Sequence, residues 1–168
     1  MTKTVFLSKR HDSNAILSPI MLKLGYKPLG RLYFVGAVKM EIRKYTKEDE
    51  AAIMKLIEAE GQGWEYYLTT EVSEKYKSAL VNSITYVAYE EETLCGYSRS
   101  INDGGFYIYI CDLLVDVRFR GQKIGQKLIE QVCLDYPGQT IIVMSNSDGF
   151  YIKKGYHREG SIFRVKIQ

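Results

Sequence analysis

The residues whose types and spacing best suit chemistry lie between Val115 and Gly125: Val115-Asp116-Val117-Arg118-Phe119-Arg120-Gly121-Gln122-Lys123-Ile124-Gly125. An apolar run precedes this segment and a helix-forming stretch follows it, so it reads as a strand-to-helix junction. The first turn of a helix leaves backbone N–H groups unpaired and carries about half a positive charge, which favours anions. Gly121 and Gly125 remove Cβ atoms where a pyrophosphate must approach closely, while Arg120, Lys123 and Lys127 add charge. The spacing is neither a P-loop, which needs G-x-x-x-x-G-K-[ST], nor the dinucleotide fingerprint, which needs a third glycine. A tight packing turn with surface lysines would show the same pattern. A second segment, Glu58-Ala59-Glu60-Gly61-Gln62-Gly63-Trp64-Glu65-Tyr66-Tyr67, concentrates acids and aromatic rings. Acids attract a cationic amine and rings stack on it, although a loop anchored by one buried Trp has the same composition.

Elements of an ordinary α/β domain must position these segments. Met40 to Tyr45 alternates apolar and polar residues, as a strand with one buried face does. Thr46 reads as an N-cap, followed by acids in the first turn of a helix that runs to about Glu60 and stops at Gly61 and Gly63. A shorter helix is expected from about Ser73 to Asn82. Ile84–Tyr89 and Leu94–Ile101 read as strands, and Asn102-Asp103-Gly104-Gly105 as a hairpin turn. Phe106 to Val117 reads as a long strand whose continuous apolar run at Leu113-Leu114-Val115 suggests burial on both faces. A helix bearing Ile124, Leu128, Ile129, Val132 and Cys133 follows, ended by Pro137-Gly138. Then come a strand at Thr140–Met144, a short helix capped by Ser147-Asp148 and ended by Gly155, and a last strand from about Ser161 to Ile167. The expected order is β-α-α-β-β-β-α-β-α-β, a mixed sheet with helices on both sides.

Composition narrows the class. The chain has 168 residues, 46% of them hydrophobic and 26% charged, with mean hydropathy −0.19. That is too apolar for a disordered chain, and no run approaches the ~20 apolar residues of a spanning helix. Cys95, Cys111 and Cys133 are an odd set without C-x-x-C spacing, so three reduced, mostly buried thiols in the cytoplasm are expected. With only His11 and His157, no metal centre is expected. The net charge of +3 sums two unlike parts: residues 1–39 carry seven Lys/Arg against one Asp, residues 40–168 sixteen against nineteen Asp/Glu. The acidic body argues against a nucleic-acid footprint, and Lys23, Lys27 and Arg31 interrupt the leader's apolar stretch, against a targeting peptide.

The leader also echoes the C-terminus. Residues 23–35, KLGYKPLGRLYFV, lie over residues 153–165, KKGYHREGSIFRV, with Lys, Gly, Tyr, Gly and Val coincident. Residues 1–39 therefore read as a basic leader, either the remnant of a preceding repeat or a chance match, and residues 40–168 as the working domain.

Leu114 to Gly125, followed about 25 residues later by Phe150-Tyr151-Ile152-Lys153-Lys154-Gly155-Tyr156, resembles the GNAT superfamily of acetyl-CoA-dependent N-acetyltransferases. The resemblance covers about residues 40–168. The family's R-x-x-G-x-G falls on Arg120, Gly121, Gln122, Lys123, Ile124 and Gly125, with Lys123 standing where the middle glycine is usual. An Asn that many members carry upstream of the Tyr has no match.

The resemblance implies a GNAT-like acyl-CoA N-acyltransferase fold, a mixed, splayed β-sheet flanked by helices, with acetyl-CoA in the V where the strand ending at Val117 parts from Thr140–Met144. Backbone groups of Leu114, Val115 and Val117 would pair with the pantetheine, and the amides of Arg120 to Gly125 would hold the pyrophosphate. A backbone N–H near Val115 would stabilise the oxyanion formed by direct attack of a primary amine, and Tyr151 would protonate the leaving thiolate. A carboxylate would take the amine's proton, with Asp112, Glu60 and Glu65 as candidates. Glu60, Trp64, Glu65 and Tyr66 would border the acceptor, expected to be a small molecule. Neither nucleic acid nor membrane is an expected partner, and a homodimer is compatible with this reading. A non-catalytic acyl-CoA-binding regulatory module is the alternative; release of free thiol with a panel of amines separates the two.

Overall fold

The computed structural model describes residues 30–35, 38–145 and 148–166. Six strands form one sheet in the order β1 (Gly30–Val35), β2 (Val38–Lys44), β3 (Ile84–Glu90), β4 (Thr93–Asn102), β5 (Tyr107–Val115) and β6 (Thr140–Val143). All neighbours run antiparallel except β5 and β6, which are parallel. Helices α1 (Glu50–Glu60) and α2 (Thr70–Asn82) connect β2 to β3, α3 (Ile124–Asp135) connects β5 to β6, and α4 (Asp148–Lys153) follows β6.

The local causes are legible. Met40 and Ile42 are fully buried and two residues apart, which sets the face of β2. The chain then turns at Thr46, whose N–H donates to Asp49 Oδ2 at 2.8 Å, while Arg43 donates twice to the same carboxylate at 2.7 Å. Gly61, at φ 69°, ends α1 in a conformation that costs other residues. Two clusters sandwich the sheet. Ile53, Leu56 and Ile57 of α1 and Tyr76 and Leu80 of α2 pack with Val87, Tyr97 and Leu114 on one face. Ile124, Leu128, Ile129 and Val132 of α3 pack with Met40, Ile42, Tyr86, Ile108 and Ile110 on the other. Helices on both sides of a mixed sheet are thus found as expected.

Three expectations change. Residues 161–166 form no strand, and Ile162, Phe163 and Val165 are exposed. Ile162 and Phe163 are adjacent, so a strand there would bury only one of them, and β-branched composition without a hydrogen-bonded neighbour does not hold a strand. The sheet instead gains β1, so residues 30–35 pair with 38–43 across the boundary expected at residue 39. The echoing segments therefore differ in conformation where both are described; residues 1–29 and 36–37 of the leader lie outside the described residues. Cys133 is exposed and Cys111 half-buried, leaving Cys95 as the buried thiol. Nine residues separate Cys133 from Ile124, two and a half turns, which puts the thiol on the opposite side of α3.

Candidate functional site

β5 pairs with β6 only from Tyr107↔Thr140 to Ile110↔Val143, and the Met144 N–H to Ile110 C=O bond at 3.0 Å closes the ladder. Beyond Ile110, β5 runs on to Val115 beside β4 alone. Its other edge is the V. Strand addition needs such a row of unpaired main-chain groups.

The orientation of that edge follows from two contacts. The Asp116 N–H donates back to Cys95 C=O of β4 at 2.9 Å, while the Val115 carbonyl accepts from Arg120 Nε at 3.0 Å on the open side. The Leu114 carbonyl lies toward β4, where a Cβ on Gly96 would meet it at 2.7 Å. Alternation then gives Leu113 and Val115 to the open edge. Leu114 faces into the sheet instead, and Val117 has left the strand for a short 3-10 turn whose carbonyl takes the Arg120 N–H at 3.4 Å. Of the three backbone positions expected against pantetheine, Val115 lies on the open edge.

The cradle comes next along the chain. Asp116 caps the 3-10 turn by accepting the Arg118 N–H at 2.9 Å, and the Arg118 guanidinium beside it holds its carboxyl below the usual range. Gly121 (φ 83°) and Lys123 (φ 63°) turn the chain into α3. Lys123 C=O takes the Lys127 N–H at 3.0 Å, so the N–H groups of Ile124, Gly125 and Gln126 precede the first intrahelical bond. Those donors, with the surrounding Arg118, Arg120 and Lys123, suit a diphosphate. Gly121 has open space where a Cβ would stand, and Gly125 seats the helix start against Leu113 and Val115, where a Cβ would lie 3.6 Å from both side chains. The cradle therefore fits an anion that continues along the open edge of β5.

Arg120 also reaches Glu60 at the end of α1, with Nη2 2.5 Å from Oε2. An expected phosphate-binding residue and an expected acceptor-binding residue are thus ion-paired. Next to Glu60, Trp64 packs near Tyr67 (ring centroids 5.8 Å) and Tyr97 (6.4 Å), and Tyr67 lies against Tyr76 at 4.4 Å. Tyr66 is exposed, and Glu65 turns back to accept the Gly63 N–H at 2.8 Å. Beyond β6, Tyr151 of α4 is half-buried against the cluster on the α3 face, between Phe150 (5.0 Å) and Tyr156 (6.1 Å). Burial pushes its phenol above the ordinary range, partly offset by a hydrogen bond with Ser145. The phenol therefore stays protonated near neutrality, as a proton donor must.

Asp112 lies in a buried polar cluster. Its Oδ2 accepts from Arg99 Nε at 2.6 Å and from Tyr76 OH at 3.0 Å, and the Tyr76 and Tyr97 hydroxyls are 2.6 Å apart. Arg99, Tyr67, Tyr76 and Tyr97 were not foreseen as site residues. The available signal was Arg99, a charge two positions from Tyr97 in an otherwise apolar-and-serine strand, on the same face of the sheet. Two hollows of about 230 and 410 Å³ lie around Val81–Ile84, away from the loop 116–125. The V is an open cleft.

An open strand edge leading to a helix start rich in unpaired N–H groups suits an extended ligand with an anionic end. Residues 81–158 match the family model described as acetyltransferase (GNAT) domain. PaiA N-acetyltransferase from Thermoplasma acidophilum, in complex with coenzyme A, superposes with TM-score 0.61 at 20% identity over 73% of this chain and 92% of its own. An aminoglycoside acetyltransferase from an uncultured soil metagenomic sample, in complex with sisomicin, gives 0.60 at 20% identity, covering 77% and 97%. Glucosamine-6-phosphate N-acetyltransferase from Arabidopsis thaliana gives 0.55 at 21% identity, covering 77% and 99%. No curated protein sequence matches the chain. The chain thus shares the fold of these acetyltransferases, and residues 81–158 carry the match to the GNAT domain model.

Proposed function

We propose that the protein is a GNAT-superfamily N-acetyltransferase that transfers the acetyl group of acetyl-CoA to a primary amine of a small molecule, by direct attack. The observation that carries this reading is the continuity of the open β5 edge with the charged start of α3, facing an acidic, aromatic segment across Arg120. Acetyl-CoA supplies an acetyl thioester. Val115 and its neighbours on the open edge orient the pantetheine arm, and the amides from Gly121 to Gly125, with the Arg120 side chain, hold the diphosphate. Trp64 and Tyr66 offer ring faces to the ammonium, and Glu60 and Glu65 offer charge. Glu60 is the base this arrangement favours, because its partner Arg120 is also a diphosphate ligand and the coenzyme's phosphates compete for it. A main-chain N–H of β5 near Val115 stabilises the developing oxyanion, and Tyr151 donates a proton to the departing sulfur.

Residues 1–39 add no catalytic group in this reading, since every residue named lies at position 60 or later. The odd number of cysteines without C-x-x-C spacing fits a reducing compartment, the cytoplasm; among the described residues no helix is long and apolar enough to cross a membrane. The test is thiol release: the full chain is incubated with acetyl-CoA and a panel of diamines, aminosugars and N-terminal peptides. Faster release with small amines supports the reading. Binding of acetyl-CoA without release by any amine would favour the regulatory module instead.

A further inference from the structure

Strand β5 carries a parity that a regular strand does not allow. Ile108 and Ile110 pack on the α3 face, yet Leu114, also even-numbered, packs on the face of α1 and α2. An extra residue must intervene, and the register shows it: Arg99 pairs with Asp112 and Ser100 with Ile110, leaving Cys111 without an opposite. A bulge of this kind bends its strand and increases its twist. Its position coincides with the parting of the sheet, since Ile110 is the last residue of β5 bonded to the β6 side. The V opens where the bulge bends β5.

Asp112 is the first cross-strand pair beyond the bulge, and its carboxylate is engaged from two elements. Arg99 of β4 donates to Oδ2 at 2.6 Å, Tyr76 of α2 donates to the same atom at 3.0 Å, and the Arg99 guanidinium lies 5.6 Å from the centre of the Tyr76 ring. With the Tyr76 proton committed to Asp112, the Tyr97 hydroxyl donates to Tyr76 across 2.6 Å. Tyr97, Tyr76 and Asp112 are 0%, 3% and 6% exposed, so each donor is matched inside the fold. A slip of one residue would send Asp112 to the opposite face and leave Arg99 buried without a counter-charge. The cluster thereby selects one register for the segment that borders the V.

We propose that Asp112 is a positioning residue and that Arg99, Tyr76 and Tyr97 act through it, locking the bulge at Cys111 and so fixing the main chain of Cys111–Leu113 at the mouth of the V. The inference rests on the acetyl-transfer reading above and withdraws the base role expected of Asp112.

A double-mutant cycle separates positioning from base catalysis. Asp112→Asn and Arg99→Gln each leave an unmatched buried partner and are expected to lower kcat at least about tenfold. The combination Arg99→Gln/Asp112→Asn restores a neutral hydrogen-bonding pair and is expected to recover most of that loss. A base cannot be rescued in this way: if Asp112 were the base, the double variant would be as inactive as Asp112→Asn, and that result overturns the proposal. Should the charged-residue variants fail to fold, Tyr76→Phe decides. It removes one hydroxyl that touches neither substrate, and is expected to lower kcat about three- to tenfold with the amine KM and coenzyme A affinity within twofold. Unchanged kcat in that variant overturns the proposal. Calorimetric binding of coenzyme A to the unaltered protein is measured alongside. Loss of that binding would sink the acetyl-transfer reading, whereas binding with a cycle that shows no rescue sinks the positioning role alone.

Discussion

Arg120 bridges the two halves of the cleft: its guanidinium donates to the Glu60 carboxylate at 2.5 Å and to the Val115 carbonyl at 3.0 Å. It thereby covers an edge group that pantetheine would use and ties down a carboxylate that the amine would use. In the proposed binding mode the coenzyme's phosphates would compete for the same guanidinium. Glu60→Gln should therefore tighten coenzyme A binding while slowing turnover. Half-exposed ion pairs contribute at most about 1 kcal/mol, so the expected gain is about two- to fivefold in Kd. Weaker binding in calorimetry would mean that Glu60 holds Arg120 in its phosphate-binding pose instead.

Lys123 pays for its place in the cradle. At φ 63° and ψ 16° it is left-handed, a conformation that costs a side-chain-bearing residue roughly 1–2 kcal/mol and glycine almost none. Set against glycine's greater unfolded entropy of about 0.5–1 kcal/mol, Lys123→Gly should stabilise the fold by about 0.5–1 kcal/mol. It should also weaken coenzyme A binding a few-fold at low salt, through loss of one charge near the diphosphate. Urea denaturation and calorimetry report the two effects separately. A destabilised variant would show that the lysine side chain makes compensating contacts.

Alkaline pH should loosen the fold before it alters the chemistry. Burial, and then the hydrogen bond to Asp49, push the Tyr89 phenol up to about 12, and burial raises Tyr76, Tyr86 and Tyr97 further. The unfolded chain releases these protons near pH 10 while the folded chain keeps them, so stability falls as pH rises past 10. The urea midpoint should drop between pH 9 and pH 11. A constant midpoint would contradict the burial of these hydroxyls.

The sequence showed the elements that carry periodic signals and hid those made by pairing. The stripe Ile124, Leu128, Ile129 and Val132 defined α3, and Gly121 and Gly125 marked the cradle, because spacing along a helix or turn is local. The run Leu113-Leu114-Val115 read as a strand buried on both faces, which is correct, but the bulge at Cys111 that swaps those faces is a property of the β4–β5 register. The Arg99–Asp112 pair was hidden for the same reason: thirteen residues separate two charges that only this register brings together. The expected strand at 161–167 had suitable composition and no neighbour, and β1 had a neighbour that composition did not announce. Lys123 departs from the glycine of the resembling motif, and the backbone angle explains the family's usual choice.

In the proposed mechanism Tyr151 gives its proton to the leaving sulfur. Tyr151→Phe should lower kcat about a hundredfold, as loss of a general acid does, with acetyl-CoA affinity little changed. Since burial holds the phenol above its ordinary range, the alkaline limb of kcat in the unaltered enzyme should lie above that of an unburied tyrosine. Undiminished kcat in the phenylalanine variant would leave the ring a packing role only.

The most direct measurement compares acetyl-CoA with S-acetylpantetheine, which keeps the thioester arm and lacks the diphosphate, by calorimetry on the full chain. If the main-chain donors from Gly121 to Gly125 grip the phosphates, acetyl-CoA should bind at least about a hundredfold more tightly, since several charge-assisted hydrogen bonds are at stake. Equal affinity for the two, or no heat from acetyl-CoA at millimolar concentration, would contradict the account.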